Sequence, residues 1–386
     1  MIVITKKENC CGCGSCAQIC PKTCITMQED EEGFLYPHTD RNACTDCHLC
    51  ESVCPMQTGE RSDYSPIKCV ATVNIDDDIR RNSSSGGLFY SLATSTIKKG
   101  GVVFAVVSDD RGEATHTKAD SIDGIRPMME SKYMQSRVGY TFRDVKDALR
   151  EGKHVLFVGT PCQVEGLNHF LLGKTPENLM TVNVACYGAP SPGVWRRYLN
   201  ETLGESENKT IVHFRDKSSG WRSYSIFLQR GDMKMKMKPS RNPFMACFFG
   251  GMIMRPSCYN CHFKSGGGHS DITVGDFWGV NKSSRHELDD DKGIGIALIN
   301  TPKGMAAMSE CDGIRSEEVA YAEAVACNGG FQGSVKPHPK RDAFFEMLRN
   351  GCSVKQASDK LLMKPLHVRA LRFAKHLISQ VIKRIK

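Results

Sequence analysis

Cys10-x2-Cys13-x2-Cys16-x3-Cys20-Pro21, repeated as Cys44-x2-Cys47-x2-Cys50-x3-Cys54-Pro55, decides how the first 58 residues fold. Two-residue gaps wrap a tight loop over three corners of an iron–sulfur cube, and the proline turns the chain away after the fourth thiolate. Each run has the spacing that holds a [4Fe–4S] cluster, with the fourth cysteine serving the other cluster. The expected ligand sets are Cys10, Cys13, Cys16 and Cys54 for one cluster, and Cys44, Cys47, Cys50 and Cys20 for the second. Cys11 and Cys24 stand outside the pattern and read as spare. Zinc is the alternative for paired cysteines, but it takes four ligands and has no use for eight thiolates at this period. One-electron traffic follows, and the remaining residues must supply its other end.

A chain of 386 residues divides naturally into this small module and one large domain. A hydrophobic content of 40% and a charged content of 24% fit a soluble protein with a sizeable core. Nineteen cysteines would suggest disulfides in a short secreted chain. Residues 1–9 lack the apolar stretch of a signal peptide, and cluster ligation needs free thiolates, so a reducing cytoplasm is the expectation. No uninterrupted apolar run reaches membrane-spanning length. Of the net charge of +8, seven units lie in residues 364–386, which carry no acidic residue. The rest is nearly neutral and lacks aromatic–basic interleaving, which argues against nucleic acid as a partner.

Residues 59–66 are polar with Gly and Pro and read as a linker. A strand is expected at 69–73. Ser83-Ser84-Ser85-Gly86-Gly87 then precedes a helical pattern over 88–99, with Ser85 placed to cap it. Such a turn is either an ordinary capped helix start or an anion-binding one, where glycines let backbone N–H groups approach the ligand. Residues 101–107 and 154–158 are apolar, β-branched runs typical of buried parallel strands. The second ends at Gly159-Thr160-Pro161-Cys162. Pro161 suits the first helical position, so Cys162 should open a helix running to Leu172. A third strand, 180–185, ends at Cys186. Two strands thus deliver a cysteine each at their carboxyl ends, where open α/β sheets place ligands. Residues 223–228 and 234–238 alternate in polarity and should pair antiparallel. Residues 244–254, rich in Phe and Met, read as core or as a wall of a flavin site. A strand at 294–300, a helix at 302–311 and a loop and helix at 336–348 complete an α/β layer structure with extra antiparallel parts.

Cys162, Cys186, Cys258 and Cys261 all sit in polar Gly/Pro-bearing motifs. Together they suit a third four-sulfur site, either [4Fe–4S] or zinc. The cysteine module followed by SSSGGLF, SKYMQS, GTPCQVEGL, CYGAPSP, FRDKSSGW, RPSCYNCHFK and DITVGDFWG resembles the coenzyme F-420 hydrogenase/dehydrogenase beta subunit family. The likeness covers residues 8–345, in the branch with a fused bacterial-type 2x[4Fe–4S] ferredoxin domain. It implies a ferredoxin module at 1–58, a larger α/β flavin- and cluster-binding domain at 67–348 and a tail at 349–386. It also implies FAD, with a third cluster on the four cysteines just named. Ser84, Ser85, Gly86 and Gly87 match a flavin-site motif, and Lys132 and Gln135 lie in another. Asp271 and Asp276 are expected near the same centre, with capping of a strand end as their alternative role. Lys132, Lys217 and Lys264 are candidates to stabilise a reduced, anionic flavin. Where members often carry an arginine shortly before the Asp271 position, this chain has Gly266-Gly267-Gly268-His269, which leaves use of the deazaflavin in question.

The implied activity is an oxidoreductase that exchanges single electrons through its clusters, with a ferredoxin-like or other redox partner. It would exchange two electrons at FAD with a small-molecule or glycan-related substrate, since some members sit among polysaccharide-assembly genes. The alternative is a subunit that relays electrons to a partner enzyme without a substrate of its own. Residues 364–386 place Phe373, Leu377, Ile378, Val381 and Ile385 on one helical face and basic residues on the other. Such a helix suits peripheral contact with an anionic membrane on its inner side, or packing of its apolar face on protein.

Overall fold

The computed structural model describes residues 1–58, 65–264 and 269–362. Residues 59–64 of the expected linker, the glycine run at 266–268 and the basic helix at 364–386 lie outside the described residues.

Each cysteine run forms a loop and a short helix, Ser15–Ile19 in the first and Leu49–Ser52 in the second. Between them β1 (Ile25–Glu29) and β2 (Leu35–Thr39) pair antiparallel. The main domain adds β3 (Lys68–Asn74), β4 (Val102–Ser108), β5 (Ala114–Ala119), β6 (Val155–Gly159), β7 (Leu179–Val184), β8 (Thr210–Asp216), β9 (Ser225–Arg230), β10 (Met233–Met237), β11 (Ile272–Asp276), β12 (Gly295–Ile299) and β13 (Ile314–Glu318). Eight of these form one sheet in the order β13-β3-β12-β11-β7-β6-β4-β5. Its centre, β4-β6-β7-β11, is parallel, as the apolar runs at 101–107 and 154–158 predict for β4 and β6. Its flanks are antiparallel. Strands β8, β9 and β10 form a separate antiparallel sheet, with the expected pairing of the last two.

Helices Leu88–Lys98 and Pro161–Phe170 follow β3 and β6 and bury apolar sides on the large sheet. A second core gathers Trp195 and Tyr198 of helix Pro192–Leu203 with Phe244 and Phe248 of helix Pro243–Phe249, and with Phe214, Ile226 and Leu228 of the small sheet. The stretch 244–254 is therefore mainly core. One boundary needs correction. Residues 349–362 were expected to begin a tail, yet Val354 and Ala357 of helix Val354–Leu362 are fully buried in this second core. Their apolar spacing continues the domain rather than leaving it.

The ferredoxin module is seated on the main domain by polar contacts. Ser15 Oγ donates to the Gly166 carbonyl at 2.7 Å, and Gln18 Oε1 accepts the Phe142 N–H at 2.8 Å. Arg143 Nε donates to the Gln18 carbonyl at 2.6 Å, and Arg341 grips both oxygens of Glu32. Backbone also meets backbone. A Cβ on Gly193 would lie 2.8 Å from the Gly33 Cα, and Gly33 itself has φ +85°, a conformation that side chains resist. Gly193→Val should therefore wedge the module away, at a cost of about 1–3 kcal/mol typical of overpacking. Denaturant unfolding should show the loss, and an iron chelator should strip the variant faster than the parent. Unchanged stability and chelation would mean that this contact is not needed for docking.

Candidate functional site

Parallel neighbours β6, β7 and β11 end at the same edge of the sheet, and each delivers a functional side chain there. Thr160 caps the helix after β6 through a reciprocal pair with Gln163, and Pro161 opens it, so Cys162 stands in its first turn as expected. Cys186 follows β7 at one remove, and Asp276 closes β11. Cys258 and Cys261 come from the turn at Pro256–Asn260. All four cysteines line one cavity of about 710 Å³, within the range of ligand sites. Burial pushes up the Cys186 thiol, and the nearby Cys258, Cys162 and Cys261 thiols add to that. Cys258, pushed up to about 12, feels burial first and then Cys261 and Cys162. Four soft donors converging this way fit a metal centre that holds them as thiolates. Among the described residues, no group of three or more His, Cys, Asp or Glu closes around a single-ion position.

The ferredoxin thiols fall into two groups. Cys16 is buried, and its electrostatic neighbours are Cys13, Cys10 and Cys54. Cys20, Cys44, Cys47 and Cys50 line a second, narrow space at the surface. Both sets fit cubes with four thiolate corners. Cys47 is exposed, whereas all four thiols of the inner set are buried. The cysteines read as spare have positions of their own. Cys24 Sγ lies 3.4 Å from Cys20 Sγ. Cys11 touches Cys13 on one side and Cys162 on the other, and it lines the large cavity. The inner ferredoxin set and the four-cysteine site are thus separated by one side chain.

Ser84, Ser85, Gly86, Gly87, Lys132, Gln135, Lys264 and Asp276 all reach the cavity wall. Their local roles differ from some expectations. Ser85 does not cap the following helix. Its hydroxyl donates to the Ile294 carbonyl at 2.7 Å, and the cap position is Gly87, at φ +86°. Ser84 Oγ accepts the Ser131 N–H at 2.7 Å, tying the Ser83–Gly87 and Ser131–Ser136 segments together. Gly86 is required by the sheet, since a Cβ there would lie 2.1 Å from the Thr72 carbonyl and 2.6 Å from the Gly295 nitrogen.

Lys132 donates to the Pro127 and Glu130 carbonyls at 2.7 Å each, and loss of water lowers it to about 8. Lys264 is spent on backbone, bonding the Cys186 and Tyr187 carbonyls. Two candidates stand outside the wall. Lys217 turns to the Arg80 and Lys292 carbonyls, and desolvation lowers it to about 7. Asp271 lies at the opposite end of β11 from Asp276. It accepts from Thr181 N at 2.8 Å and from Thr301 Oγ1 at 2.7 Å, a structural role.

Arg215 escaped the sequence reading although its motif was quoted. Its side chain is fully buried, bonds both Asp276 oxygens at 3.0 and 3.2 Å, and packs over the rings of Tyr224 and Trp278. Gln163 was missed as well. It links Thr160 to Ser136, whose hydroxyl meets His116 Nδ1 at 3.3 Å. Thr160 in turn contacts Cys162 Sγ at 3.2 Å, so a hydrogen-bonded chain supports that thiol from below.

Comparison with known proteins gives two family matches. Residues 152–323 match the family described as the C terminus of the coenzyme F420 hydrogenase/dehydrogenase beta subunit, and residues 9–58 match the 4Fe-4S dicluster domain. An uncharacterized ferredoxin of Methanocaldococcus jannaschii is 38% identical over 53 residues, which span 14% of this chain and 68% of that one. A 7Fe ferredoxin of Hydrogenibacillus schlegelii is 36% identical over 61 residues, 15% of this chain and 72% of that one. Among solved structures, a chain of the F420-reducing [NiFe] hydrogenase complex from Methanosarcina barkeri aligns with a TM-score of 0.46 at 16% identity. That alignment covers 77% of this chain and 91% of that one.

Asp276→Asn should leave the Arg215 guanidinium buried without its counter-charge, at a cost on the order of 3 kcal/mol. Denaturant midpoints check this, and a change below about 0.5 kcal/mol, the range of ordinary surface substitutions, would show that the pair does not hold the wall.

Proposed function

We propose that this chain, which belongs to the coenzyme F420 hydrogenase/dehydrogenase beta subunit family, is an iron–sulfur flavoprotein oxidoreductase with a small organic substrate. It is an iron–sulfur electron-transfer protein of α/β architecture, with a dicluster module at its N-terminus. One observation carries the finer reading. A single cavity of about 710 Å³ collects the four-cysteine site, the Ser84–Gly87 loop, Lys132 and Asp276, with Cys11 of the ferredoxin run in its wall. A plain relay between clusters needs no cavity of that size.

In this reading Cys162, Cys186, Cys258 and Cys261 hold a third cluster and FAD fills the remaining space. When bound, the flavin exchanges electron pairs with the substrate, while clusters pass electrons singly. The chain's own groups then bind and orient. The Ser84–Gly87 loop and Gln135 line the space. Lys132, a cation at neutral pH in the cavity wall, would offset the negative charge that a flavin gains on reduction. Arg215 fixes Asp276 in one rotamer, which makes Asp276 the candidate to orient substrate or flavin. Lys264 fixes the turn that carries Cys186, and Lys217 braces the Ser85 loop through backbone. Electrons enter at the exposed Cys47 side from a ferredoxin-like partner and leave through Cys11 toward the cavity. A glycan-related substrate follows from the family branch. Among the described residues no helix is long and apolar enough to cross a membrane. Peripheral membrane contact would rest on residues 364–386.

Anaerobic purification with iron, sulfide, zinc and flavin quantified tests this directly. About twelve irons, as three cubes of four, and one flavin per chain are expected. Cys162→Ser should remove four irons and spare the ferredoxin pair. Eight irons with one zinc would replace the third cluster, and absence of flavin would leave the relay reading.

A further inference from the structure

Arg255 is fully buried, and among the described residues it has no carboxylate within ion-pair distance. A guanidinium cannot shed its charge, and an uncompensated buried charge is costly. Its partners show where the compensation comes from. Nε donates to the Cys10 carbonyl at 2.7 Å, and Nη2 to the Leu35 carbonyl at 2.9 Å. Nη1 donates to Gln135 Oε1 at 3.0 Å, and Nη2 also lies 3.4 Å from Cys10 Sγ. The Tyr36 ring sits 4.3 Å from the guanidinium carbon. Carbonyls and a ring supply only partial charge. Among the described residues, the anion in direct contact with the guanidinium would be the thiolate of Cys10, with Cys258 of the four-cysteine site also acting on it.

The chain makes room for this arrangement. A Cβ on Gly12 would lie 2.7 Å from Arg255 Nη1, and Gly12 has φ +74°. The cysteine loop therefore folds directly onto the guanidinium. Arg255 also begins the turn that carries Cys258 and Cys261, so it belongs to the main domain, not to the module whose sulfur it meets.

We propose that Arg255 is the counter-cation of the cluster on Cys10, Cys13, Cys16 and Cys54, and that it raises that cluster's reduction potential. The reduced cube carries one more negative charge than the oxidised one, so a fixed cation and an N–H···S contact favour the reduced form. The outer cluster, on Cys20, Cys44, Cys47 and Cys50, receives backbone contacts such as Ile2 N to Cys50 Sγ at 3.2 Å, and the Met1 ammonium beside it is paired with Asp46 and Glu51, so that cation is offset by two carboxylates. The main domain thereby sets the potential of the cluster that faces it.

The test is an EPR-monitored redox titration of the full chain. Arg255→Met, which fills similar space without charge, should move the inner cluster to a more negative potential and leave the outer one in place. Arg255→Gln should do the same and serves if the Met variant loses iron. Arg341→Gln breaks the other arginine staple to the module without touching Cys10, and it should leave both potentials unchanged. An unmoved inner potential in iron-replete Arg255→Met or Arg255→Gln overturns the proposal. So does an equal shift in Arg341→Gln, which would trace the effect to a loosened interface.

Discussion

A guanidinium withdrawn from water joins the two halves of this molecule. Arg255 holds the Cys10 loop through its carbonyl, the β2 strand through Leu35, and the cavity wall through Gln135. Gln135 Nε2 adds a bond to the Cys11 carbonyl at 2.9 Å, so the inner cysteine loop is held against the carboxyl edge of the large sheet at two successive carbonyls. Ser15, Gln18, Glu32 and Gly33 add further contacts, and Arg255 brings a full positive charge to 3.4 Å from Cys10 Sγ. Because the site lies at a sheet edge, every element that ends there becomes part of it. Strands β6, β7 and β11 bring Cys162, Cys186 and Asp276 together for that reason, despite their separation in sequence.

The outer cysteine set meets solvent at Cys47, the inner set is buried, and Cys11 stands between the inner set and Cys162. The inner set is thus the most buried of the three, since Cys162, Cys186, Cys258 and Cys261 at the cavity are half-buried. The Arg215–Asp276 pair closes the far wall, beside Tyr224 and Trp278.

Ligation spacing is local, so both ferredoxin sets could be read from the chain. Strands β4 and β6 were equally legible, because burial on both faces leaves an uninterrupted apolar run, whereas Thr273, Gly275 and Asp276 break that signal in β11. Edge strands β5 and β13 were not, since Thr115, Thr117 and Lys118, or Arg315 and Glu317, interrupt any apolar run. Asp271 and Asp276 share one motif, yet strand direction alone decides that Asp276 meets the cavity and Asp271 does not. Ser85 looked like a helix cap because it precedes a helix, but its partner Ile294 lies on a distant strand and outcompetes the local bond. Arg255 was invisible as a functional residue for the same reason. Its partners Cys10 and Gln135 are far away in sequence, and only the docked module brings them within reach. The lysines were expected at a flavin, but Lys217 and Lys264 are bound to backbone carbonyls that no periodicity reveals.

The central claim is that a third cluster lies against the inner ferredoxin cluster, across Cys11. EPR of the fully reduced Cys47→Ser variant tests it most directly. That variant lacks the outer cube, so the inner cluster has no ferredoxin neighbour left. Its signal should remain split by spin–spin interaction, and the splitting should vanish when Cys162→Ser is added. A single unsplit signal from one isolated cube in Cys47→Ser alone would contradict the claim.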